Sequence, residues 1–237
     1  MIVVLCVAMV IFWQVLASYF WGDSLLAIDW QMNKWIVGIR RPFLNELMLL
    51  ITMTGNGWTI LVGSILSGLV LLLSGREKCF GALMLSNLIG LVFVNLSKYS
   101  IGRFRPPLEN ALIRMDGFSL PSGHSYFGLV FYGLMTYFLM KHFADVKKRI
   151  VIFLSGIGFV ILLAFSRIYL GVHWLSDVLA GLASSAIWLG MVTTYLEHKK
   201  MYFLEKKKVS ENKIKGAVYL LSVIWFLVIV RQFIQAK

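Results

Sequence analysis

The stretch Ser119-Leu120-Pro121-Ser122-Gly123-His124-Ser125-Tyr126-Phe127 opens an apolar run that continues to Met140. Insertion into a bilayer asks only for apolar length, so a proline, a glycine, hydroxyls and a histidine at the start need a second explanation. A helix beginning at this point presents unpaired backbone N–H groups and the positive end of its dipole, a setting that attracts an anion. Ser122 reads as an N-cap residue. Gly123 lets a ligand approach the backbone closely. The stretch therefore reads as one wall of a phosphate site at the mouth of a membrane helix.

The rest of the chain agrees with a membrane setting. Of 237 residues, 59% are hydrophobic and only 14% charged, with mean hydropathy +0.80 and net charge +12. A soluble domain of this length cannot hide so much apolar surface in one core. Helices of spanning length are expected over Ile2–Trp21, Leu47–Leu73, Cys79–Ser97, Ser125–Met140, Ile150–Leu170 and Trp174–Leu196. The first lacks the basic start and small-residue cleavage site of a signal peptide and is expected to be retained. Gly216–Val230 is a possible seventh, spanning or lying along the interface. The expected fold is an all-α polytopic helix bundle. The chain reads as one domain over residues 1–237, with a basic tail and the uncertain apolar segment over 198–237.

Charge orients the bundle. Arg76 and Lys78, then Lys141, Lys147, Lys148 and Arg149, then the lysines from Lys199 to Lys215 all fall on one side of the expected crossings. They outnumber the cations of the opposite side, so the positive-inside rule places the N-terminus in the cytoplasm and the Lys98–His124 connection outside. The excess of basic residues suits topology and anionic lipid, and no nucleic-acid partner is expected. Cys6 and Cys79 have neither disulfide-framework nor metal-ligand spacing. Asp23–Asn45 reads as an amphipathic connector in the outer headgroup layer, and Thr52, Thr54, Gly55, Asn56 and Gly57 as a small, polar packing patch. Trp174 reads as an interface anchor.

Polar groups gather at helix ends that share the outer face. Lys98, Arg105 and Arg167 supply cations, and a guanidinium fork can grip a phosphate bidentately. His173 and Asp177 are four apart, so on a helix they can touch. The carboxylate then fixes the imidazole tautomer and leaves the other ring nitrogen for a substrate. Asp177, set within an apolar helix, is costly unless it has a function. Such a crowd of cations would repel a divalent ion, and the spacing fits no common zinc pattern, so no metal is expected.

These residues carry a resemblance. Lys98–Pro106 fits K-x6-R-P, Pro121–His124 fits P-S-G-H, and Ser166–Asp177 fits S-R-x5-H-x3-D. The three patterns, in this order, resemble the signatures of the type 2 phosphatidic acid phosphatase (PAP2) superfamily. The resemblance implies a metal-independent lipid phosphate phosphatase of a plasma or inner membrane, working at its extracytoplasmic face without a cofactor. It casts His173 as nucleophile, Asp177 as its orienting partner and His124 as the acid for the leaving group. Lys98, Arg105, Ser122, Gly123 and Arg167 would hold the phosphoryl oxygens. The expected partner is a membrane lipid phosphate: undecaprenyl diphosphate, phosphatidylglycerophosphate or phosphatidate. Phosphotransfer to another acceptor, and lipid transport or scrambling without turnover, are the alternatives. The 16-residue run Ser125–Met140 would measure about 24 Å, short of the hydrocarbon core, which puts the site near the outer headgroups.

Overall fold

The computed structural model describes residues 2–22, 24–199 and 211–235, and among them every regular element is helical. In chain order they are α1 Ile2–Trp21, α2 Ser24–Ile39, α3 Pro42–Met53, α4 Gly57–Leu73, α5 Glu77–Ile101, α6 Gly123–His142, α7 Val146–Tyr169, α8 Leu175–His198 and α9 Glu211–Gln235, with a 3-10 turn at Leu108–Asn110. α1, α5, α7, α8 and the 218–235 part of α9 are long and apolar enough to cross a bilayer, and α3 with α4 forms a sixth span if taken as one bent pair. Large apolar side chains such as Trp13, Leu88, Val92, Leu154 and Ile161 point outward, where lipid covers them.

Local chemistry sets the helix ends. α5 stops at Gly102, whose φ of 69° is left-handed and whose N–H returns to Lys98 O. That stop turns the chain into the loop 102–122. Ser122 caps α6, and Asp145 caps α7 at its other end by accepting from Lys147 N and Lys148 N. Pro42 sits in the first turn of α3, where its missing N–H costs nothing.

α6, expected as a span, falls short of the hydropathy that marks the other long helices as candidate spans, and it packs among protein neighbours. It buries Ser125, Tyr126, Gly128, Val130, Phe131, Leu134 and Phe138 against α5, α7 and α8. α6 and α8 run parallel. At one end Ser122 N donates to Asp177 O at 3.0 Å. At the other, Lys141 pairs with Glu197, and Tyr137 Oη donates to the same carboxylate at 3.1 Å. Gly181 permits the close approach near the first of these ends, since a Cβ there would lie 2.6 Å from Ser122 O.

Some expectations need correction, and others gain detail. Leu47–Leu73 is not one straight helix. It breaks at Thr54–Asn56 and bends by 48°. Thr54 Oγ1 turns back to Ile51 O, while the Asn56 side chain accepts Trp58 N and starts α4. α6 begins at Gly123 and includes His124; its 20 residues measure about 30 Å, against about 24 Å for the expected run Ser125–Met140. Within the connector, residues 24–39 form α2 and residues 42–45 begin α3, Asp23 lying outside the described residues, and Asp29, Asn33 and Ile36 form a buried stripe along α2. Gly216–Val230 belongs to the longer α9, which packs on α3 and α4. Trp225 Nε1 donates to Thr59 O, and Thr59 Oγ1 donates to Gln232 Oε1 at 2.9 Å. Of the basic run Lys199–Lys215, residues 200–210 lie outside the described residues.

The close approach at Gly181 makes a prediction. Gly181→Ala drives a methyl into the Ser122 carbonyl and separates the starts of α6 and α8, a strain of about 1–3 kcal/mol. A melt in detergent should show the loss. An unchanged midpoint would show that the contact is not tight.

Candidate active site

The site is assembled at the end of the bundle where α5 and α7 finish and α6 and α8 begin. His173 does not share a regular helix with Asp177 as expected. It lies in the turn between α7 and α8, just ahead of the N-cap Trp174, and Asp177 is in the first turn of α8. The contact is made all the same: His173 Nδ1 lies 3.3 Å from Asp177 Oδ2. The same oxygen accepts Trp174 N at 2.9 Å. Asp177 Oδ1 accepts Arg103 Nη1 at 2.7 Å. An acceptor-only carboxylate on Nδ1 makes that nitrogen the protonated one. Nε2, the other nitrogen, lies 3.2 Å from Arg105 Nη1. Burial first, then the charges of Arg167, Arg105 and Lys98, push the His173 imidazole well below its usual value. The ring is neutral at pH 7, with a lone pair on Nε2.

The three cations divide into different situations. Arg105 is held by carbonyls: Nε donates to Gly117 O, Nη1 to Val172 O, and Nη2 to Asp116 O and Phe118 O, at 2.8–3.3 Å. It staples the long loop to the His173 turn and touches the imidazole edge. Arg167 is 1% exposed, and Nη1 donates to Thr52 Oγ1 at 2.5 Å. Its Nε and Nη2 are buried and have no hydrogen-bond partner among the described residues. A buried guanidinium with open N–H groups is costly unless an anionic acceptor meets them. Lys98, half-buried on the last turn of α5, has no hydrogen-bond partner among the described residues and interacts electrostatically with Arg105, Asp177 and Arg167.

α6 supplies the other wall. Ser122 is fully buried and caps the helix, accepting from Ser125 N at 3.5 Å and Ser125 Oγ at 3.1 Å. A Cβ on Gly123 would meet only Val94, at 3.6 Å, so the protein leaves room beside that backbone. His124 is half-buried over Gly55 and within electrostatic reach of Arg167, His173, Lys98 and Arg105. All eight residues singled out in the sequence thus lie around one end of the bundle.

Sequence reasoning missed or misread four supports. Thr52 is no mere packing residue, because it holds Arg167, and Thr54 O accepts Tyr132 Oη at 2.9 Å. Trp174 is buried rather than anchored at the interface, with its indole N–H on Phe104 O at 2.9 Å. Arg103 occupies an unspecified position of K-x6-R-P. Asp29 lies on α2, far away in sequence. The available signal for Asp29 was an acidic residue in a largely apolar helix. Among the described residues, no three His, Cys, Asp or Glu side chains are grouped as metal ligands.

Comparison with known proteins places this arrangement. The PAP2 superfamily profile matches residues 80–201, from α5 through α8. The chain belongs to the PAP2 superfamily. Phosphatidylglycerophosphatase B of Bacillus subtilis is 31% identical over 204 residues, covering 83% of this chain and 97% of the relative. An undecaprenyl-diphosphatase of Sulfolobus acidocaldarius is 27% identical over 181 residues, covering 74% and 82%. The crystal structure of the transmembrane PAP2-type phosphatidylglycerolphosphate phosphatase of B. subtilis superposes with TM-score 0.67 at 27% identity, covering 82% of this chain and 96% of that one. This PAP2 chain is a multi-pass membrane protein of the lipid phosphatase family. The profile ends before α9, so the helix that braces α3 and α4 lies outside the matched region.

The open donors of Arg167 predict an oxyanion site that can be titrated. Inorganic phosphate should raise the melting midpoint in detergent, by an amount equivalent to about 2.7 kcal/mol at a hundredfold excess over Kd. Arg167→Gln and Lys98→Gln should each shrink that shift. An undiminished shift in both variants would place the anion elsewhere.

Proposed function

We propose that this protein hydrolyses a phosphomonoester or diphosphate headgroup of an outer-leaflet lipid through a phosphohistidine at His173. The observation that carries the reading is the buried Arg167, whose Nε and Nη2 meet no acceptor among the described residues, near an imidazole held by a carboxylate. Phosphoryl transfer asks mainly for positioning and for charge neutralisation on the equatorial oxygens. Arg167, Lys98, the Gly123 N–H and the Ser122 hydroxyl proton can provide that cradle. Arg105 differs: its donors are taken by carbonyls, so it orients His173 and adds charge.

The steps balance. His173 Nε2 attacks phosphorus, and the bond from phosphorus to the leaving oxygen breaks. With the phosphate dianion bound beside it and offsetting the neighbouring cations, His124 carries a second ring proton, gives it to that oxygen and is left neutral. Asp177 stabilises the positive charge on the substituted imidazole, as a buried carboxylate does for a catalytic histidine. Neutral His124 then takes a proton from water, the resulting hydroxide oxygen attacks phosphorus, and the P–N bond breaks to release phosphate and restore His173.

Phosphatidylglycerophosphate, undecaprenyl diphosphate and phosphatidate share the chemistry this site can use, and the first two figure in the names of the relatives. A cation-rich cluster without grouped ligand side chains supports turnover without a metal. The test is phosphate release from the detergent-solubilised protein on these three lipids in excess chelator. At least one should be hydrolysed at the rate seen without chelator. Phosphate appearing only on an added acceptor would make the protein a phosphotransferase. Loss of activity restored by magnesium or zinc would overturn the metal-free mechanism.

The cation distribution supports an extracytoplasmic site in a plasma or inner membrane. Single cysteines at Glu109 and Lys147, both exposed and at opposite ends of the bundle, test this in a Cys6→Ser/Cys79→Ala background. An impermeant thiol reagent should label position 109 in intact cells and position 147 only after lysis. The reverse pattern would put the site in the cytoplasm.

A further inference from the structure

Arg103 stands at the meeting point of α1, α2, the 102–122 loop and α8. It is 5% exposed. Its Nη1 donates to Asp177 Oδ1 at 2.7 Å and to Ser176 Oγ at 2.6 Å, and its Nη2 donates to Asp29 Oδ2 at 2.6 Å. The guanidinium is also 5.7 Å from the ring centroids of both Tyr19 and Trp174. Asp29, 2% exposed, closes the network from α2: Oδ1 accepts Ser176 N at 2.9 Å and Oδ2 accepts Ser176 Oγ at 2.5 Å. A single cation thus bridges two buried carboxylates, one of which orients the imidazole.

We infer that Arg103 and Asp29 are positioning residues for the reaction, with Asp29 on α2 locking the Arg103 fork that holds Asp177 against His173. The inference rests on the roles proposed above for His173 and Asp177. Asp177 Oδ2 can face His173 Nδ1 only while Oδ1 is held on the opposite side, and Arg103 is the side chain that holds it. Without a counter-ion, Arg103 would be one buried cation answering one carboxylate, free to rotate its fork between Asp177 and Ser176. Asp29 removes that freedom by taking Nη2 and by fixing Ser176, the residue next to Asp177, through both its N–H and its hydroxyl. Neither residue is placed to touch phosphate, because their donors and acceptors are spent on each other and on α8. α2, which precedes the segment matched by the family profile, is thereby built into the catalytic unit.

Kinetics of purified, folded variants in detergent on one lipid phosphate test the inference. Arg103→Gln should lower kcat roughly tenfold to a hundredfold, as misplacement of a reacting group does, with KM within about twofold. Arg103→Lys keeps the charge without the fork and should recover part of the loss. Asp29→Asn should lower kcat less than Arg103→Gln. The double variant Asp29→Asn/Arg103→Gln should lose clearly less than the product of the two single losses, because Asp29, Arg103 and Ser176 hold Asp177 as one network. A role in folding alone would lower the melting midpoint while leaving kcat of the folded fraction intact, and that result overturns the inference. So does a rise in KM at constant kcat, or losses that multiply in the double variant. If Arg103→Gln does not fold, Arg103→Lys and Asp29→Asn decide by the same split. His173→Ala and Asp177→Asn run alongside: both inactive with Asp29→Asn and Arg103→Lys unimpaired defeats only this inference, whereas activity in His173→Ala defeats the mechanism it rests on.

Discussion

A carboxylate with no exposed surface at the mouth of a membrane helix has to be paid for in contacts. Removing such a charge from water costs several kcal/mol unless donors replace the solvent. Among those that Asp177 receives are the Trp174 N–H, Arg103 Nη1 and the His173 ring. Each donor imposes a condition on the fold. The Trp174 amide requires that α8 begin where it does. Arg103 requires that α5 end at Gly102, so that the chain reverses beside α1 and α2. His173 requires the turn after α7, which Arg105 staples to the long loop through Val172 O and Gly117 O.

The same demand explains why three arginines around the imidazole differ in the folded protein, although only Arg105 and Arg167 stood out in the sequence. Arg105 and Arg103 donate to protein acceptors and hold loops and carboxylates in place. Arg167 is buried with N–H groups that meet no acceptor among the described residues, and its fork is steadied by Thr52 in the last turn of α3. A straight helix over Leu47–Leu73 could not also cap α4 with Asn56 and turn Thr54 O toward Tyr132. α9 then braces the broken pair through Thr59, Trp225 and Gln232.

Much of this was legible in the sequence, and for a physical reason. Apolar runs of spanning length must be helices, and ionisable groups within or beside them are expensive enough to mark a site, so Lys98, His124, Arg167, His173 and Asp177 declared themselves. The supports did not. Asp29 and Arg103 are 74 positions apart, and only the packing of α2 against α8 reveals that one answers the other. Thr52 and Gly55 looked like packing residues because small polar side chains serve that purpose between membrane helices. Trp174 looked like an interface anchor because indoles favour that layer, whereas its N–H groups are used inside. The division of labour between Arg105 and Arg167 could not be read from residue type, since it depends on which carbonyls the long loop brings near.

The central claim is that His173 carries the phosphoryl group and His124 the proton. Rapid-quench trapping tests it most directly, with a phosphate ester whose acidic leaving group needs no protonation. The wild type and His124→Ala should both form an acid-labile, base-stable phosphoenzyme, because expulsion of that group does not depend on His124, and His173→Ala should form none. A phosphoenzyme of undiminished amount in His173→Ala would contradict the account and move the nucleophile to another residue.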